Sequence, residues 1–71
     1  MKNINTNIGK NLKRIRKLRG LTIDALATSS GVSKSMISEI ERGIRNPSIT
    51  IIWSLANALK TPLNYFLKED S

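Results

Sequence analysis

The chain of 71 residues has no cysteine and no histidine. Without thiolates there is neither a disulfide framework nor a thiolate metal site, and without imidazole only a carboxylate cage for a hard cation remains conceivable. Five acids scattered along the sequence do not build one. The same shortages remove the usual catalytic groups: no clustered carboxylates, no glycine-rich phosphate loop, and no base for a nucleophile. Lys34 and Ser38 stand one helical turn apart, but on an outward arc that cannot bury and activate them. No enzyme activity, metal or cofactor is therefore expected. Apolar runs fall far short of the roughly 20 residues that span a bilayer. The opening "MKNINTNIGK" has no signal-peptide core, which predicts a cytoplasmic chain. Seventy-one residues predict one small domain over 1–71, which buries only about 60% of the surface of its unfolded chain. Help from a partner subunit fits such marginal stability.

What is abundant is positive charge, and it is lopsided. The net charge is +7. Lys2, Lys10, Lys13, Arg14, Arg16, Lys17 and Arg19 precede Gly20 with no acid among them. After it, Lys34, Arg42, Arg45, Lys60 and Lys68 balance Asp24, Glu39, Glu41, Glu69 and Asp70. A polyanion is the natural partner, either nucleic acid or an anionic membrane surface.

The pattern of apolar residues predicts five helices, no strand and no repeat. A first helix runs from about Asn7 to Arg19, with Ile8, Leu12 and Ile15 at helical spacing and Gly20 as its stop. "GLTIDALATSSG" predicts a second, capped by Thr22, with Asp24 in its first turn, Leu21, Leu26 and Ala27 packed inward, and Gly31 as its close. Ser33 caps a third helix that ends before Gly43. Pro47 forbids helix in "GIRNPS", and Ser48 caps a fourth helix to about Leu59. "KTPLNYFL" predicts a last short helix, with Thr61 as cap and Pro62 at the first helical position.

Two of these helices, joined through "TSSGVS" over about 22–42, form the corner used by helix-turn-helix DNA-binding proteins, whose second helix enters the major groove. Ala27 is the small residue where the helices touch, Gly31 takes the turn, and Val32, Ile37 and Ile40 pin the second helix. On a wheel of about 100° per residue, Lys34, Ser35, Ser38, Glu39 and Arg42 share an arc of roughly 140°, opposite Met36, Ile37, Ile40 and Glu41. Short hydroxyl side chains let a helix backbone approach base edges, lysine donates to guanine, and glutamate accepts from the cytosine amino group. For Glu39 two readings stand side by side: a base contact, or repulsion of phosphates in every wrong register.

At "IGKNLKRIRKLRGLT", "LA", "GVSKSMISEIERG", "NPSITIIWSLANAL" and "PLNYFL" the chain resembles the Xre/Cro type of phage-repressor-like helix-turn-helix regulators. The resemblance covers Ile8 to Leu67. It implies a compact five-helix, all-α DNA-binding fold that binds operators as a dimer and most often represses transcription. It also implies that Ser33, Lys34, Ser35, Ser38 and Glu39 occupy the base-reading positions. The family commonly has a phosphate-contacting glutamine at the start of the second helix; here Ile23 stands there, which shifts that contact to Thr22. By resemblance, Arg16 and Glu41 form a partly buried salt bridge. "SKSMIS" and "NPSITIIWSLANAL" are similar to the first module of longer, ligand-sensing regulators, so a chain stopping at Ser71 is either complete or trimmed.

Phosphates supply most of the affinity in DNA binding while base contacts specify. Candidate phosphate contacts are Thr22 and Ser33 with their helix-start amides, together with Arg42, Arg45, Asn46 and Ser48. Lys10, Lys13, Arg14 and Lys17 supply diffuse steering. One recognition helix covers few base pairs, so a homodimer on a palindromic site, with half-sites roughly 34 Å apart, is expected. Its interface is assigned to Trp53, Leu63, Tyr65 and Phe66, with Leu67, apolar residues of the last two helices that a small core cannot all bury; the alternative is that the aromatic residues close the core, Phe66 most of all and Tyr65 least. The rival expectation is a protein- or membrane-binding module using the cationic first helix, with Ile8, Leu12 and Ile15 as its inserted face.

Overall fold

The computed structural model describes residues 4–68, with side chains from Asn7 onward. Lys2, Glu69 and Asp70 lie outside this range. Four α-helices follow in order: α1 (Ile4–Leu18), α2 (Ile23–Ser30), α3 (Lys34–Glu41) and α4 (Ile49–Ala58), and a 3-10 turn at Leu63–Phe66 closes the chain. No strand occurs among the described residues.

Helix starts follow from side-chain chemistry. The hydroxyls of Thr22, Ser33 and Ser48 each accept from the amide three residues on, of Ala25, Met36 and Ile51, which satisfies one orphan donor per helix. Each such cap contributes roughly 1 kcal/mol. Helix α1 starts three residues earlier than expected, because nothing between Ile4 and Asn7 breaks a helix. Gly31 closes α2 at φ 78°, in the left-handed region, and its amide bonds the Ala27 carbonyl. That conformation turns the chain through "GVS" into α3, and a Cβ there would be strained. The α4 terminus uses the same kind of ending without glycine: Lys60 sits at φ 52°. Its carbonyl is held by the Arg19 guanidinium at 3.2 Å.

The expected fifth helix is a correction. Pro62 does not enter a helix but is extended, at ψ 143°, and the Thr61 hydroxyl donates to the Leu59 carbonyl instead of capping. Tyr65 and Leu67 bond back three residues, to Pro62 and Asn64, as a 3-10 turn does. Asn11 fastens this closing segment to α1: it is buried in α1, and its Nδ2 donates at 2.9 Å to the carbonyls of both Phe66 and Lys68. The Asn11 carbonyl oxygen accepts from Arg14.

The core is built from all elements: Leu12 of α1, Leu26 of α2, Ile37 and Ile40 of α3, Leu55 of α4, Leu59 and Phe66 are sealed from water. Phe66 is thus a second correction. At 1% exposure it fills the core under the 3-10 turn and presents nothing to a partner subunit.

Helix α3 rests on α1 through two contacts. Gly9 lies against the backbone of α3, where a Cβ would overlap the Ile40 carbonyl oxygen and stand 3.0 Å from that of Glu41. One end lower, Arg16 Nε donates to Glu41 Oε2 at 2.7 Å and its Nη2 to Oε1 at 3.1 Å, with side chains only 9% and 6% exposed. Arg16 also donates to the Leu21 carbonyl, which holds the α1–α2 connection. The hydrogen bond that Arg16 donates to Glu41 raises the Arg16 pKa, burial opposes it, and the charge of Glu41 adds to the rise. The guanidinium therefore stays charged while buried.

Removing one partner of a buried pair strands the other, so Arg16→Met or Glu41→Gln should each cost about 3 kcal/mol or more, against roughly 0 to 1 for a surface pair. Urea melts in a double-mutant cycle should show strong coupling; additive losses would refute it. Gly9→Ala sets two effects against each other. Helix propensity favours alanine by about 1 kcal/mol. Overlap with an immobile backbone costs about 1 to 3 kcal/mol or more. Net destabilisation is expected, measured by the same melts.

Candidate nucleic-acid interface

The inward side of α3 leaves the other side open to solvent. Lys34, Ser35, Ser38, Glu39 and Arg42 of α3, with Ile23 and Asp24 from the start of α2, line one shallow groove on the surface. Four of the five base-reading candidates meet there, beside Arg42. The fifth, Ser33, stands at the helix start as its N-cap. Ile23 is half-buried and packs against the core. An apolar residue fits that position because it braces α2 rather than reaching outward.

Three capping hydroxyls, those of Thr22, Ser33 and Ser48, are exposed, and each uses a lone pair for its own helix. The hydroxyl hydrogens remain free to donate, and each helix start leaves amides unpaired beside its cap. Such helix starts favour anions. Arg42 is exposed at the C-cap of α3, and Arg45 and Asn46 are exposed in the loop that follows. Lys10, Lys13, Arg14 and Lys17 are exposed along α1.

Two ion pairs on this face were missed in the sequence. Lys34 Nζ lies 3.1 Å from Asp24 Oδ1, bridging the starts of α3 and α2, and both side chains are well exposed. Arg45 holds Glu39, with Nη2 and Nε both on Oε1. Both pairs join residues six or more apart across a turn, where no helical spacing flags them. Every acid on the face is thereby matched to a cation.

The rival expectation fails on burial. Ile8, Leu12 and Ile15 are in the core and cannot enter a membrane. No helix among the described residues is long and apolar enough to cross one. Trp53, Tyr65, Ile49 and Leu67 are exposed, while Leu63 is half-buried against the core. Lys68 Nζ stands 5.6 Å from the centre of the Tyr65 ring.

Known proteins carry the same arrangement. The family profile HTH_3, described as helix-turn-helix, matches residues 12–66. The HTH-type transcriptional regulator SutR of Escherichia coli is 34% identical over 67 residues, which are 94% of this chain and 38% of SutR. The HTH-type transcriptional repressor RghR of Bacillus subtilis is 47% identical over 57 residues, 79% of this chain and 42% of RghR. The chain thus spans about two fifths of the length of these two regulators. Among solved structures, the restriction-modification controller protein C.AhdI of Aeromonas hydrophila superposes with a TM-score of 0.84 at 34% identity, covering 87% of this chain and 94% of C.AhdI. With the helix-turn-helix family model matching residues 12–66, the chain belongs to the helix-turn-helix family, of the Xre/Cro type.

Proposed function

We propose that the protein is a sequence-specific regulator of transcription that binds double-stranded DNA as a homodimer in the cytoplasm, lays α3 in the major groove, and represses by occupying a palindromic operator. The observation that carries this reading is the outward face of α3: short, hydrogen-bonding side chains of Ser35 and Ser38 in one groove with Lys34, Glu39 and Arg42. RghR, named a transcriptional repressor, supports the sign of the effect.

In this reading Lys34 and Ser35 meet base edges near the start of α3. The Lys34–Asp24 pair is exposed and solvent-screened, so it yields readily to a guanine acceptor. Ser33, Thr22 and Ser48 donate to phosphate from their capping positions, with Asn46 beside them. Arg42 at the α3 terminus grips the backbone as a charge, without reading sequence. The apolar residues left outside the core, Trp53, Tyr65 and Leu67, with half-buried Leu63, form the dimer contact; Phe66 supports them from below.

Sites selected from random duplexes, followed by binding titrations, test the assignment. Lys34→Ala should cost about 1 to 3 kcal/mol on the selected site and relax the preference at one base pair. Arg42→Ala should weaken all duplexes alike and lower the salt slope by about 1. A uniform loss from Lys34→Ala would make lysine a phosphate contact. Binding to the palindrome should be cooperative with two chains per duplex, and Tyr65→Asp should reduce that cooperativity with the melting transition kept. Independent occupation of half-sites would remove the dimer from the proposal.

A further inference from the structure

Glu39 presents an acid to a surface proposed to meet a polyanion, and the structure shows how it is made compatible. Arg45 closes on a single carboxylate oxygen: its Nη2 lies 2.6 Å and its Nε 2.8 Å from Glu39 Oε1. Oε2 has no hydrogen-bond partner among the described residues, and Glu39 lines the groove with Ser35, Ser38 and Arg42. The carboxylate is thus neutralised through Oε1, with Oε2 left without a partner among the described residues.

We propose that Glu39 reads a cytosine in each half-site, Oε2 accepting the groove-facing N4 hydrogen, and that Arg45 is its positioning residue rather than a phosphate contact. The inference rests on the reading that α3 faces the major groove. A carboxylate can only accept, and the major groove offers two donors, the amino groups of cytosine and adenine. In adenine the groove-facing amino hydrogen lies beside N7, whose lone pair repels an incoming carboxylate. In cytosine it lies beside the apolar C5–H edge. Cytosine is therefore the better match.

Arg45 does two things for this contact. Its charge offsets the repulsion between Glu39 and the flanking phosphates, and its fork on Oε1 restricts the side chain so that Oε2 points into the groove. The contact also ties the loop at 43–46 to the last turn of α3, six residues away. An arginine acting through a glutamate leaves a different signature from one on a phosphate. Its loss changes the choice of one base, in addition to the sequence-independent repulsion that an unmatched Glu39 adds.

The test starts from parallel site selections with the 71-residue chain and with Glu39→Ala. The wild type should require cytosine at one position per half-site where the variant is indifferent. In titrations at fixed salt, replacing that C·G pair by T·A should weaken wild-type binding about tenfold, because thymine offers an acceptor there. N4-methylcytosine at the same position should cost about as much, since the methyl group takes the groove-facing hydrogen while base pairing persists; 5-methylcytosine should keep the amino contact. Glu39→Ala should abolish the first two penalties. Arg45→Ala should shrink them by about threefold or more, and added to Glu39→Ala it should change neither. A uniform loss from Arg45→Ala on every duplex, with the cytosine penalty intact and the salt slope lowered, overturns the positioning role. A cytosine requirement untouched by Glu39→Ala overturns the base contact while leaving the major-groove reading in place. A wild-type chain that selects no sequence overturns both.

Discussion

The buried pair of Arg16 and Glu41 is the interaction on which the rest of the structure depends. It joins α1 to the end of α3 and, through the Leu21 carbonyl, holds the connection into α2. A chain of this size has little apolar surface to bury and must leave one side of α3 bare. Holding that helix by one face needs strong, directional contacts on the other. The fork between guanidinium and carboxylate supplies direction, and the backbone approach at Gly9 supplies closeness. Such a pair is not cheap in desolvation, so its value lies in fixing one orientation of α3 rather than in raw stability.

The outward face follows a matching electrostatic rule. Net charge is positive, yet the groove beside α3 contains Asp24 and Glu39 as well as Lys34 and Arg42. Each acid faces a cation, Lys34 or Arg45, in an exposed pair. Exposed pairs contribute little stability, so their effect is on where side chains point. In the proposed reading, diffuse attraction comes from the cations of α1 and discrimination from the paired groups beside α3.

Much of this was legible from local chemistry. Thr22, Ser33 and Ser48 announce helix starts because a hydroxyl three residues before an amide makes the same bond wherever the helix goes, and Gly31 announces a turn that other residues resist. Ile8, Leu12, Ile15, Ile37 and Ile40 follow the helical period, so they could be placed in the core. Other residues gave no such signal. Asn11 looks like one more polar residue of a basic helix, and its role exists only because two carbonyls more than 50 residues away are brought beside it. Gly9 reads as a weak spot in α1 until α3 lies against it. The closing segment carries a threonine and a proline in the order of a helix start, but the Thr61 hydroxyl turns back to the Leu59 carbonyl and Pro62 stays extended. Phe66 and Tyr65 are aromatic neighbours on a short element, and the order expected of them holds: Phe66 closes the core while Tyr65 stays outside.

The sequence by itself determined the all-helical class, the corner between α2 and α3, and the sidedness of α3, because caps, glycine turns and apolar periodicity act over four residues or fewer. Only the tertiary structure decided which aromatic residues stay outside, why the last element is a 3-10 turn, and which acids hold which cations. Those outcomes depend on contacts between segments far apart in the chain, where packing space and the partners of buried or charged groups are set by the whole fold.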